Sequence, residues 1–178
     1  MNNKQINIKI DDELYFRFFE PGDEENLIKY GNNRLIWKKM RDSFPNPYTK
    51  KDATRWIRFS TEESRHVHLA IIYKNELIGA VGAELKDDIY KYSAELGYWL
   101  GEPFWGKGIA TRVVKAAVKY IFDNYKINRL LAITFPNNPA SNKVLLNNGF
   151  IKEGTLRKAA FKDGFFIDLE SFGILKNE

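Results

Sequence analysis

A glycine-bearing turn between a predicted strand and a predicted helix constrains the fold more than any other feature of the chain. The segment reads Trp99-Leu100-Gly101-Glu102-Pro103-Phe104-Trp105-Gly106-Lys107-Gly108-Ile109-Ala110-Thr111. The first main-chain NH groups of a helix have no partner within the helix, and the helix dipole favours negative charge there. Glycines let an anion approach the backbone closely. The segment therefore predicts a strand–turn–helix unit whose turn suits a phosphate or diphosphate.

Two common phosphate-binding motifs fit this turn poorly. Gly101 to Gly108 has the spacing of a P-loop, but Gly108 stands where that motif needs a Ser or Thr for magnesium. A Rossmann motif needs a third glycine where Thr111 stands. Glycines that only shape the turn remain an open explanation at this point.

A second strand-to-helix junction follows about 30 residues later, reading Asn137-Asn138-Pro139-Ala140-Ser141-Asn142 and ending Asn147-Asn148-Gly149-Phe150. Asn138 is predicted to cap this helix, with Pro139 in its first position. Together the two segments resemble the GNAT superfamily of acyl-CoA N-acyltransferases. The resemblance runs from Leu14 to Leu175. Within the superfamily, the sequence closely resembles the ribosomal-protein N-terminal acetyltransferase branch. The residues that carry this similarity are Ala94–Leu100, Glu153–Arg157, Asp163-Gly164 and Asp168.

Hydrophobic periodicity predicts the order β, α, α, β, β, β, α, β, α, β, β in one domain spanning residues 1–178. Asp23 is expected to cap the first helix, which is broken near Gly31. The resemblance implies an α/β (α+β) GNAT fold: a single mixed, mostly antiparallel sheet of about seven strands flanked by helices, with a splay between strands 4 and 5. The predicted segments are strands Leu14–Phe19, His66–Tyr73, Leu77–Leu85, Tyr92–Leu100, Arg129–Phe135, Phe150–Ala160 and Phe165–Leu175, and helices Asp23–Met40, Lys50–Glu63, Gly108–Asn124 and Asn138–Gly149.

The resemblance implies a site for acetyl-CoA and no metal. Main-chain NH groups of Trp105 to Ala110 would bind the diphosphate, although many GNAT proteins have Arg or Gln where Trp105 stands. Asn138 would bond the pantetheine arm, and Ser141 would hold or protonate the departing thiolate; a helix cap explains both equally well. The expected coenzyme-binding residues are Trp99, Leu100, Gly101, Trp105, Gly106, Lys107, Gly108, Ile109, Ala110, Thr111, Asn138, Ser141 and Asn142.

Two acid–base groups of relatives are missing. Leu145 occupies the place of a tyrosine acid, and Ala160 stands near the place of a carboxylate. Because deprotonation at pH 7 costs about 1 kcal/mol for an α-amine and about 4.6 kcal/mol for a lysine, a weak base suffices for an N-terminus. We therefore expect a protein or peptide α-amine as acceptor, with Glu95 orienting or deprotonating it; an outward-facing strand carboxylate is equally open. The alternatives are a small amine (aminoglycoside, polyamine or amino acid) or a coenzyme A binding module without turnover.

Other polar and aromatic residues are weaker candidates. Asp168 and Glu170 could line an acceptor pocket or balance Arg157 and Lys158. His66 and His68 could share a strand face, but two histidines alone make a poor metal site. Four aromatic residues could wall the pocket, although a place in the core is favoured: Trp37, Phe44, Tyr48 and Trp56.

Composition excludes several classes of protein. The chain has no cysteine, which excludes disulfides, thiolate metal sites and a cysteine nucleophile. It has no apolar run of the roughly 18 residues that a membrane helix needs, and its first residues are polar. The net charge of +5 is scattered along the chain. We therefore expect a cytoplasmic monomer or homodimer that binds neither nucleic acid nor membrane.

Overall fold

The computed structural model describes residues 7–62 and 66–177, which fold around one sheet. Its strands are β1 (Ile8–Lys9), β2 (Leu14–Arg17), β3 (His66–Tyr73), β4 (Glu76–Leu85), β5 (Ser93–Leu100), β6 (Arg129–Thr134), β7 (Ile151–Lys162) and β8 (Phe165–Leu175). Its α-helices are α1 (Glu24–Gly31), α2 (Arg34–Trp37), α3 (Lys50–Glu62), α4 (Ile109–Asn124) and α5 (Pro139–Leu146). None of the helices in these residues combines the length and the apolar character of a membrane span.

The sheet is mixed and mostly antiparallel, which confirms the predicted fold class. The strand order is β1-β2-β3-β4-β5-β6-β8-β7, and only β5 and β6 run parallel among neighbouring strands of the described residues. The sheet has eight strands rather than about seven. The additional strand, β1, has only two residues and is too short to show an alternating pattern. The predicted end of α3 at Glu63 lies outside the described residues.

The parallel pair separates after three residues. Pairing joins Ser93 through Glu95 to Arg129 through Leu131 and stops there. Beyond this point β5 stays bonded to β4 as far as Leu100, and β6 stays bonded to β8 as far as Thr134. Each strand keeps the neighbour on its outer side, so the gap opens between them. This is the splay predicted between the fourth and fifth expected strands, which are β5 and β6 in the structure because β1 was not predicted. Its apex lies at Glu95.

Each face of the sheet is covered by different helices. One buried cluster joins α4 to one face of the sheet and includes Val113, Ala117, Leu96 and Leu100. The other joins α1 and α3 to the opposite face and includes Leu27, Ile57 and Trp99. Because side chains alternate along a strand, Glu95 and Gly97 share the face of Trp99, whereas Tyr98 shares the face of Leu96.

The side chain of Asp23 does not cap α1, so that prediction is wrong. Asp23 occupies the cap position but makes no capping hydrogen bond. Its carboxylate accepts from both terminal nitrogens of Arg17, at 2.7 and 2.8 Å, and from the Glu20 NH at 2.9 Å. A bidentate arginine pair is stronger than a neutral cap and satisfies both oxygens of a nearly buried carboxylate.

Candidate active site

The turn before α4 carries a run of unpaired main-chain NH groups. Gly106 and Gly108 both have φ of +72°, a region that favours glycine. Within the part of the chain that the structure describes, the six NH groups from Gly106 to Thr111 donate to no backbone or side-chain acceptor. A Cβ atom added at either glycine would meet nothing within 4 Å. The turn therefore offers open space and unpaired donors, which fits a diphosphate.

Trp105 holds this turn against the end of β5. Its indole Nε1 donates to the Leu100 carbonyl at 2.8 Å. The Lys39 ammonium lies 4.8 Å from the centre of the ring. The side chain therefore braces the turn. The Trp105 NH, which was expected to bind the diphosphate, donates to the Glu102 carbonyl at 3.1 Å, so the run of unpaired donors begins at Gly106.

Three of the expected coenzyme residues serve packing at this junction. The Trp99 ring lies on the α1–α3 face, 5.5 Å from the Phe44 ring, and Leu100 is buried against α4. The Gly101 NH donates to the Ile78 carbonyl at 2.8 Å. A Cβ at Gly101 would lie 2.7 Å from the Tyr30 ring. Gly101 thus allows Tyr30 to approach the backbone and has no donor left for a ligand.

The start of α5 faces the same region as β5. Asn138 caps the helix, as predicted, by accepting from the Ser141 NH at 3.4 Å. The Ser141 hydroxyl lies 2.8 Å from the phenol oxygen of Tyr98. Burial raises the pKa of Tyr98 to about 12. Tyr98 is a site residue that was not predicted from the sequence, because its partner lies 43 positions away.

Asn142 is directed towards the sheet. Its side-chain oxygen accepts from the Thr134 hydroxyl at 2.7 Å, and its amide donates to Glu170. Glu170 also pairs with Lys152 at 2.6 Å, and these contacts lower its pKa. Its fellow candidate Asp168 accepts from the Lys158 NH at 2.8 Å. Neither carboxylate borders the cavity that passes through the splay.

A cavity of about 900 Å³ passes through the splay and joins the two faces of the sheet. On the α5 side it is bordered by Ala132, Thr134, Asn138, Ser141 and Leu145, together with Tyr98. On the α3 side it is bordered by the chain from Lys39 to Pro45 and by His68, together with the aromatic side chains of Tyr48, Trp56 and Phe59. Two reactants on opposite faces of the sheet can therefore meet at the splay.

Glu95 stands at the apex of the splay, on the α3 side. Its Oε1 pairs with Arg41, and its Oε2 accepts from Lys86 Nζ at 2.8 Å. Arg41 also lies 3.6 Å from the carboxylate of Glu84, which is opposite Glu95 in the strand register. The side chain of Glu95 is 14% exposed. Both carboxylate oxygens are therefore occupied by cations.

Aromatic side chains wall the α3 side of the cavity and also pack into the core. Phe44, Tyr48, Trp56 and Phe59 border the cavity, together with Trp99. Trp37 does not border it; the Lys162 ammonium lies 3.5 Å from its ring centre. Three of the four predicted aromatic residues therefore serve both packing and the cavity wall.

His68 lies among these rings and is nearly buried. Its ring centre is 4.7 Å from that of Trp56, and its Nε2 atom has no hydrogen-bond partner. Burial, with a smaller contribution from His66, lowers the pKa of His68 to about 4, so the imidazole is neutral at pH 7. The described residues contain no group of three side chains suited to hold a metal ion.

Comparisons with known proteins agree with this architecture. The family model described as "Acetyltransferase (GNAT) domain" matches residues 13–151. The uncharacterized N-acetyltransferase p20 of Bacillus licheniformis is 32% identical over 94% of this chain and 95% of its own length. The ribosomal-protein-serine acetyltransferase of Escherichia coli is 33% identical over 93% of this chain and 94% of its own length. The crystal structure of the microcin C7 self-immunity acetyltransferase MccE with acetyl-CoA and AMP superposes with a TM-score of 0.83 at 27% identity, covering 94% of this chain and 95% of MccE.

Proposed function

Because this chain belongs to the GNAT acetyltransferase family and uses acetyl-CoA as its acyl donor, we propose that it acetylates the α-amino group of a protein or peptide. The donor would lie on the α4–α5 side of the sheet and the acceptor on the α3 side. The two would meet in the cavity that passes through the splay.

For the donor, we propose that the diphosphate binds the NH groups from Gly106 to Thr111. These donors have no acceptor among the described residues, and a Cβ added at either glycine of the turn would meet open space. Hydrogen bonds from charged or dipolar donors to an anion are stronger than neutral ones. The pantetheine arm would then follow the unpaired edge of β5 towards Asn138 and Ser141. Trp105 holds the turn in shape for this contact.

For the acceptor, the occupied carboxylate of Glu95 is the observation that carries the proposal. A free carboxylate could take a proton from an ammonium group, but Arg41 and Lys86 already bind both oxygens. A lysine would need about 4.6 kcal/mol to lose its proton at pH 7, and an α-amine about 1 kcal/mol. Because the carboxylate at the apex of the splay is paired with two cations, the site favours an acceptor that deprotonates easily, namely an N-terminus.

In this proposal Glu95 orients the amine and does not deprotonate it. The neutral amine attacks the thioester carbonyl, the N–C bond forms, and the C–S bond breaks. The amine proton passes to solvent. NH groups of β5 that face the gap would bond the carbonyl oxygen and stabilise the charge that develops on it. The name of the Escherichia coli relative, a ribosomal-protein-serine acetyltransferase, supports a protein acceptor.

An acceptor panel tests the proposal. Thiol release from acetyl-CoA is measured with a peptide that starts with serine, with the same peptide blocked at its N-terminus but carrying one lysine, and with spermidine. We expect the free N-terminus to react at least tenfold faster than the blocked peptide. Faster reaction of the blocked, lysine-bearing peptide would overturn the α-amine assignment.

A small amine is the second candidate. The cavity wall of Phe44, Trp56 and Phe59 favours it, because flat rings can stack on aromatic side chains. MccE, whose structure contains AMP beside acetyl-CoA, provides a precedent for a nucleotide in a related protein. A small amine that carries a flat ring is added to the panel for this candidate. If that amine or spermidine reacts faster than every peptide, the second candidate replaces the first.

A further inference from the structure

Tyr98 reaches Ser141 from a different element of the fold. It lies in the middle of β5, on the face of the sheet that α4 and α5 cover. Its phenol oxygen is 2.8 Å from Ser141 Oγ and 3.4 Å from the Ser141 carbonyl. Both side chains border the cavity on the α5 side. The pair therefore faces the region in which the thioester would lie.

The direction of this hydrogen bond follows from acidity. A phenol is a stronger acid than an aliphatic alcohol, so Tyr98 is the better donor and Ser141 Oγ the better acceptor. The Ser141 carbonyl is the longer and weaker alternative for the phenol proton. If the phenol donates to Oγ, the serine keeps its own proton available for a ligand. No other side chain in the described part of the chain bonds to Ser141 Oγ.

We propose that Tyr98 is a positioning residue, whose phenol donates to Ser141 Oγ and thereby directs the serine hydroxyl to the thiolate that leaves coenzyme A. The inference rests on the proposed donor site. When the C–S bond breaks, the electron pair stays on sulfur, and the serine hydroxyl donates a hydrogen bond to it. The thiolate later takes its proton from solvent, so neither side chain changes its protonation state.

Acidity also argues against proton transfer from Tyr98. The pKa of Tyr98 is raised to about 12, whereas that of a thiol is about 8.5. A thiolate therefore gains no stable proton from this phenol at neutral pH. A fixed hydrogen-bond donor can still stabilise the sulfur charge as it develops, because it needs no reorganisation during the reaction.

Single and double variants test the role. Tyr98→Phe, Ser141→Ala and the double variant are compared with wild type in kcat, in KM for acetyl-CoA and in thermal unfolding. We expect Tyr98→Phe to lower kcat about tenfold and to change KM less than twofold. Ser141→Ala should lower kcat at least as much. The double variant should equal Ser141→Ala, because the phenol acts only through the serine.

Tyr120→Phe is the matched control. Tyr120 is a half-buried tyrosine on α4 that contacts Tyr125 and does not border the cavity. This variant should retain the wild-type kcat. A kcat of Tyr98→Phe within twofold of wild type would overturn the proposal. A further tenfold loss in the Ser141→Ala background would also overturn it, since Tyr98 would then act independently of Ser141.

The assay keeps this inference separate from the acceptor proposal. All variants are measured with whichever amine reacts fastest in the acceptor panel, so a failed peptide acceptor leaves the comparison intact. Coenzyme A affinity is measured by calorimetry for each variant. An unchanged affinity with reduced kcat assigns the loss to the chemical step and supports the positioning role. An equal loss in affinity and in kcat/KM would overturn it.

Discussion

Gly108→Ala separates the effect on folding from the effect on the coenzyme. The left-handed backbone at Gly108, with φ of +72°, costs a residue with a Cβ about 1 to 2 kcal/mol. The loss of unfolded-state entropy offsets about 0.4 to 1 kcal/mol of this. No atom lies within 4 Å of the added Cβ, so no steric clash within the protein is expected. The net loss of stability is about 1 kcal/mol, which lowers Tm by about 2 to 4 °C.

The expected effect on coenzyme A is larger. The methyl group would project into the open space above the turn and displace the diphosphate from the NH groups that follow. Losing one hydrogen bond to a charged group costs about 1.5 to 3 kcal/mol. The Kd for coenzyme A should therefore rise about 10- to 150-fold, because about 1.4 kcal/mol corresponds to a factor of ten. Isothermal titration calorimetry measures this change directly.

Gly164→Ala is the matched control. Gly164 has φ of +89° at the β7–β8 turn, and a Cβ there also meets nothing within 4 Å. It should lose a similar amount of stability and bind coenzyme A as wild type does. Wild-type affinity in Gly108→Ala would refute the assignment of this turn to the diphosphate. Equal weakening in both variants would attribute the effect to general destabilisation.

Three further changes test the acceptor side of the cavity. The pKa of His68 is about 4 in the folded protein and about 6.5 in the unfolded chain, so the unfolded state binds more protons between these pH values. The free energy of unfolding should therefore fall by about 3 kcal/mol as the pH drops from 6.5 to 4. In His68→Phe, the free energy of unfolding should not show this pH dependence. Gly97→Leu should reduce kcat/KM for the acceptor at least tenfold, because a Cβ at this position meets nothing within 4 Å and the leucine side chain would fill the acceptor side of the cavity. The affinity for coenzyme A, measured by calorimetry, should not change. Arg41→Gln should free one carboxylate oxygen of Glu95, which could then take a proton from a lysine. The ratio of the rates with α-amine and lysine acceptors, measured by thiol release, should therefore become smaller. An unchanged ratio would argue against the proposal that Glu95 only orients the amine.

Local patterns predicted most of the fold. Alternation found β3 and β4, and their turn has positive φ at Lys74 and Asn75, as a tight hairpin requires. Helical spacing found α4 to within one residue of its start. Two segments without such patterns were not predicted. Strand β1 is too short to show alternation, and the 3₁₀ turn at Glu102–Phe104 lies inside the glycine segment, which was predicted as a single turn. Gly101, expected to serve a ligand, is needed where the Tyr30 ring meets the backbone.

The site was predicted less completely, because its contacts join distant parts of the chain. Glu95 and Ser141 were predicted from the sequence, but a partner was predicted for neither of them. Glu95 pairs with Arg41 across 54 positions, and Ser141 meets Tyr98 across 43. Strand register and the docking of α5 decide such pairs, and neither leaves a signal in local spacing.

The sequence by itself determined most of the helices and strands, the glycine turn before α4 and the capped start of α5, since each depends on residues close to one another in the chain. Only the tertiary structure decided where β5 and β6 part, which face of the sheet each polar side chain occupies, and that Glu95 is held by two cations. The physical reason is that a one-residue change in register moves every side chain of a strand to the opposite face. Chemistry at the splay therefore depends on pairings that no single segment contains.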